Sequence, residues 1–62
     1  MDGMIRVGQY DADELKEMND DETIQAMIKD GRIFLDGEYD KGCIWANEGD
    51  GKAYEIACQY AF

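Results

Sequence analysis

The stretch Ile24-Gln25-Ala26-Met27-Ile28-Lys29-Asp30-Gly31-Arg32-Ile33-Phe34-Leu35-Asp36-Gly37 changes its period halfway along. Before Gly31, the residues Ile24, Met27 and Ile28 recur at i, i+3 and i+4, the spacing of one helix face. Gly31 sits where a C′ glycine belongs, just after Lys29 in the last turn. This predicts a helix over about Asp20–Asp30. From Arg32 the period is two, which predicts a strand over Arg32–Leu35. Asp36-Gly37 then reads as a two-residue hairpin turn. A helix running directly into a hairpin makes the class α+β.

Toward the N-terminus, Asn19 with Glu22 three residues on has the spacing of a helix cap. Asp11 with Glu14 repeats it, and Leu15 and Met18 follow at i, i+3. A first short helix is expected over Ala12–Met18, with a sharp corner at Asn19. Met4–Tyr10 alternates, with Ile5 and Val7 on one face, and reads as a first strand. Toward the C-terminus, a strand is expected over Glu38–Ala46, with Gly42 a candidate bulge. Asn47–Gly51 reads as a second turn and Lys52–Ala61 as a last strand, with Tyr54, Ile56, Cys58, Tyr60 and Phe62 on one face. A turn centred on Gly49-Asp50 would pair Trp45 with Tyr54, Cys43 with Ile56, and Lys41 with Cys58.

The expected architecture is thus a single domain over residues 1–62. Two short helices pack on one face of a small antiparallel sheet, in the order β-α-α-β-β-β. One point stays open. In a regular Asp36-Gly37 hairpin, Phe34 and Tyr39 share a face with Cys43 and Trp45, while Ile33 and Leu35 take the other. Either both faces carry apolar residues or a bulge switches the parity.

Sixty-two residues bury only ~60% of their unfolded surface, so the core is marginal and leaves no room for a deep pocket. Seven aromatic residues support a folded chain nonetheless. There is no histidine, which excludes imidazole bases, Ser-His-Asp and Cys-His arrangements, and His-containing zinc sites. Two cysteines, Cys43 and Cys58, make neither a disulfide scaffold nor a closed zinc site, and they read as buried reduced thiols. Asp36–Asp40 resembles the start of a calcium loop, but the sixth and twelfth positions hold Lys41 and Asn47, where an EF-hand needs Gly and Glu. Gly49-Asp50-Gly51-Lys52 lacks the rest of a phosphate loop. No enzyme, cofactor or metal is expected. The longest apolar run, Cys43–Ala46, is far too short for a bilayer. With no signal peptide legible, the expected compartment is the cytoplasm.

The formal net charge is −9, and Asp11–Glu22 carries −6 of it, with seven acids against Lys16 alone. Part of this has a local cause, because acids in first helical turns gain ~0.3–1 kcal/mol each from the macrodipole. Asp13 and Glu17 do not fit that account. They form a like-charge i, i+4 pair, project away from the Leu15–Met18 face, and Glu17 stands late in its helix. Asp36, Glu38, Asp40, Glu48 and Asp50 extend the excess. Such a surface repels nucleic acid and anionic membrane and attracts basic proteins. Carboxylates spaced ~6 Å apart along a helix can stand in for phosphates in a basic cleft. Tyr10 and Tyr39 stand among these acids and could serve as anchors or as core.

In size, charge, and the acids of Asp11–Glu22 and Asp36–Asp40, the chain resembles small acidic DNA mimics of phages and mobile elements, of the anti-CRISPR type. The resemblance implies a cytoplasmic, monomeric inhibitor, acting in the host cell if phage-encoded. It would block the basic DNA-binding or PAM-reading surface of a CRISPR surveillance complex. Its expected partner-binding residues are Asp11, Asp13, Glu14, Glu17, Asp20, Asp21, Glu22, Asp36, Glu38, Asp40, Tyr10 and Tyr39. The rival readings are a generic interaction module, antitoxin- or adaptor-like, and a cation-binding or redox protein using Asp36–Asp40 or Cys43 and Cys58.

Overall fold

The computed structural model describes residues 3–38 and 40–62. It is an α+β fold in the order β1 (Met4–Tyr10), α1 (Ala12–Asn19), α2 (Glu22–Lys29), β2 (Ile33–Glu38), β3 (Lys41–Asn47) and α3 (Gly51–Cys58). The three strands form one antiparallel sheet with spatial order β1-β3-β2. All three helices pack against the sheet. The core beneath them is built from Met18, Ile24, Met27, Ile33, Ile44, Ala46, Ala53, Ala57 and Tyr10.

The helical half follows its local signals. Glu14 reaches back to accept the Asp11 backbone N–H at 3.1 Å, which fixes the start of α1. The second cap is Asp21, not the expected Asn19. Its carboxylate accepts the N–H groups of Thr23 at 2.9 Å and Ile24 at 3.3 Å, and Asn19 is the last residue of α1. Gly31, at φ +80°, ends α2 in a Schellman motif. The Arg32 N–H donates to Met27 O and the Gly31 N–H to Ile28 O.

The hairpin differs in register from the sequence expectation. Asp36-Gly37 lies inside β2, and the turn falls three residues later, between Glu38 and Lys41, which pair with each other. This longer ladder sets Ile33 opposite Ala46 and Leu35 opposite Ile44 on the core side. Phe34 and Trp45 pair on the other side. Two apolar cross-strand rows outweigh the preference of Asp-Gly for a turn. The open question of the two faces is thereby answered: both carry apolar residues, and only the Ile33–Ile44 side is covered. Gly42 is not a bulge but pairs with Gly37 and Tyr10, and the bulge lies in β1 between Arg6 and Gly8. There it lets Val7 pack against the core and still turns Tyr10 inward.

The expected last strand is a helix, so the order ends in α, not β. Asp50 caps it, accepting the Ala53 N–H at 3.1 Å. Lys52, Ala53, Glu55 and Ala57 are good helix formers. Ala53, Ile56, Ala57 and Tyr60 recur at i, i+3, i+4 and i+7, and all four belong to the core or pack on it. The pairings of Trp45 with Tyr54, Cys43 with Ile56 and Lys41 with Cys58 do not exist. Trp45 faces Arg6 and Phe34, and Cys43 faces Gln9 and Asp36. Cys43 is half-buried in β3, and Cys58 is exposed on α3 rather than buried in a strand. Beyond α3 the chain turns back to β1, where Gln9 and Phe62 exchange both backbone hydrogen bonds at 3.0 Å. Gly8 permits this approach, because a Cβ there would lie 2.8 Å from the Ala61 Cβ. Among the described residues, no helix is long and apolar enough to cross a membrane.

Candidate partner-binding surface

The acidic stretch and the acidic hairpin meet at one end of the sheet. Asp11 closes β1 and begins α1, and Glu38 closes β2. Both line a cavity of about 310 Å³ together with Gln9, Tyr10, Gly37, Lys41, Gly42 and Cys43. From there Asp13 and Glu17 are exposed along α1, and Asp20 and Glu22 are exposed at the corner with α2. Asp36, Glu38 and Asp40 are exposed on the hairpin. Among the described residues the ion pair is Arg32 with Asp50, at 2.6 Å, away from this band. The carboxylates of the band therefore face solvent without a cation held against them.

Three of the expected partner-binding residues are engaged in the fold. Glu14 is half-buried and engaged in the α1 cap. Asp21 caps α2 and also accepts the Tyr60 hydroxyl at 2.5 Å, which ties the C-terminal segment to the helix corner. Tyr10 is 4% exposed and belongs to the core, so its ring does not project from the surface. Burial first, and then the charge of Asp36, pushes its phenol above the ordinary value, which keeps it protonated. Tyr39 lies outside the described residues.

Two further polar contacts were not read from the sequence. The Arg32 guanidinium holds Asp50 bidentately, at 2.6 and 2.9 Å, while Asp50 caps α3. The available signal was Asp50 placed three residues before Ala53, which is cap spacing. The other contact is Tyr60 with Asp21, and no local spacing marks it, because 39 residues separate the two.

These contacts set a pH window. The bond from Arg32, then the Ala53 N–H, holds the Asp50 carboxyl at about 2. The Tyr60 hydroxyl, then the Ile24 N–H, lowers Asp21 below its ordinary 3.8. Both folded-state values lie below the unfolded ones. Their contribution is therefore complete above about pH 4 and is lost as pH falls toward about 2. The bond to Asp21 raises Tyr60 to about 12, so its contribution holds below pH 10 and is lost toward about 12. Thermal melts are expected to show the midpoint dropping between pH 4 and 2, and the Asp50→Asn variant is expected to flatten that drop. An unchanged acid limb in Asp50→Asn would remove Asp50 as its source.

A second surface is the sheet face opposite the helices. Phe34 is 42% exposed, Trp45 is half-buried beside it, and the Trp45 Nε1–H has no acceptor among the described residues. Another cavity, of about 350 Å³, is lined by Ile5, Tyr54 and the turn before α3. Its one carboxylate, Asp50, is already engaged by Arg32. Among the described residues, no three Cys, Asp or Glu side chains converge where they could hold a metal ion. No family model, no curated protein and no solved structure matches this chain.

Proposed function

We propose that this protein is a non-enzymatic, acidic DNA mimic that occupies the basic DNA-binding surface of another protein. Within that class the anti-CRISPR reading is the one we adopt, with the PAM-recognition surface of a surveillance complex as the target. The carrying observation is the band of exposed, unpaired carboxylates from the hairpin along α1. Asp13 and Glu17 are exposed along it, and their side chains take part in no cap. A basic cleft built for phosphates would meet such a band with Arg and Lys side chains already in place.

The test is inhibition of PAM-duplex binding by a guide-loaded effector, measured in a mobility-shift assay over a salt series. Asp13→Lys with Glu17→Lys is expected to keep the fold and to weaken inhibition at least ~tenfold, equivalent to 1.4 kcal/mol or more. Inhibition is also expected to weaken with added salt. Equal potency of the double variant would sink the mimic reading.

The uncovered Phe34–Trp45 face favours one alternative, a generic interaction module that docks through its aromatic pair. That reading expects Trp45→Ala, and not the α1 reversal, to abolish partner binding, with little dependence on salt.

A further inference from the structure

The cavity at the hairpin end has a floor that the acidic band alone does not explain. Tyr10, Gly42 and Gly37 lie side by side across the three strands. A Cβ on Gly37 would lie 2.7 Å from the Tyr10 Oη, so the bare glycine is what lets the phenol reach this position. Tyr10 is 4% exposed, lines the cavity, and its hydroxyl has no hydrogen-bond partner among the described residues. The ring is buried, but the oxygen is not among the buried polar atoms left without a partner, so it reaches solvent. Here its free valence is turned toward the open side.

The walls decide the charge of an occupant. Asp11 and Glu38 line the cavity from two separate segments, and the charge of Asp36 is felt at Tyr10. Lys41 is the one cation among the lining residues. The net field therefore favours a cation. Acceptors at the rim and one at the floor suit a planar group with several donors in a fork. A guanidinium has that form and is weakly hydrated, whereas an ammonium is a compact, strongly hydrated point charge.

We propose that this cavity receives the guanidinium of an arginine side chain presented by a protein partner, with Asp11 and Glu38 as counter-charges and the Tyr10 hydroxyl as the acceptor at its base. The proposal rests on the mimic reading, in which the partner surface is basic, and it names the contact that would fix the register.

The experiment is an amide NMR titration at constant ionic strength with N-acetyl-arginine amide, and with N-acetyl-lysine amide for comparison. Saturable shifts are expected at Gln9, Tyr10, Gly37 and Gly42, with arginine at least ~3-fold tighter than lysine. Tyr10→Phe keeps the ring and removes the acceptor, and it is expected to weaken binding severalfold. Glu38→Gln, at an exposed position, is expected to do the same without any question of folding, and Lys41→Ala to tighten it. Free arginine, with its own carboxylate, is expected to bind more weakly than the amide. Tighter binding of free arginine would overturn a protein source for the group. Shifts spread over all acids equally for both probes, or unchanged in Tyr10→Phe and Glu38→Gln, would overturn the cavity. Arginine-amide binding without effector inhibition keeps the cavity and removes the mimic reading. Effector inhibition that survives in both variants, without probe binding, does the reverse.

Discussion

Gly42→Ala is expected to lose a third or more of the stability of this protein. Gly42 sits on the central strand, paired with Tyr10 on one side and Gly37 on the other. A methyl group there would press into the Gly37 Cα and the Asp36 carbonyl oxygen, inside van der Waals contact with both. These are backbone atoms of the adjacent strand, so no side-chain rotation can relieve the clash. Relief requires the β2–β3 ladder to open at its tight end. A cost of about 3 kcal/mol is expected, the upper part of the range for overpacking. A domain of this size has about 3–9 kcal/mol in total. The melting midpoint should fall by about 12–24 °C, read by circular dichroism. A drop of only a few degrees would mean that the two glycines are not held at this spacing.

Ile44→Ala is expected to cost about 2–5 kcal/mol, from lost burial and the cavity left behind. Ile44 is fully buried on β3, between Gly8 of β1 and Leu35 of β2, with the helices above it. The informative control is Phe34→Ala on the other face. Phe34 is large but 42% exposed and packs against Trp45 across the strands, so about 1 kcal/mol is expected. Urea titration of the pair reads the two sheet faces directly. Equal losses would mean that the Phe34–Trp45 face is covered in solution, and would count against a face held open for a partner.

The helical half of the fold was legible because its signals are local. Ile24, Met27 and Ile28 at helical spacing and the Gly31 stop needed no tertiary information. The cap moved from Asn19 to Asp21 because both residues satisfy the same chemistry, and packing of Met18 and Ile24 chose between them. Lys52–Ala61 could not be settled by pattern. Its apolar residues fit a period of two as well as a helical stripe, and the strand reading used Tyr54 and Cys58, which the fold leaves exposed. The alanines held the answer. Ala53 and Ala57 are fully buried because a helix must come close to the sheet at that point. The hairpin register was likewise a tertiary decision, since Asp36-Gly37 has strong turn chemistry and lost to the rows beneath α2. Of the candidate site, the exposed acids of α1 and the hairpin were legible from composition. Their meeting at Tyr10 was not, because it depends on β1 and β2 flanking the same strand.

That strand order sets the sequence of events during synthesis. The central strand of the sheet, Lys41–Asn47, is the last of the three to be made. Met4–Tyr10 has no partner until residue 47 exists, an interval of about 2–7 s at usual translation rates. During that time an apolar strand and two short helices wait without a ladder. The acids of Asp11–Glu22 belong to this waiting segment, and like charges there oppose association between unfinished chains.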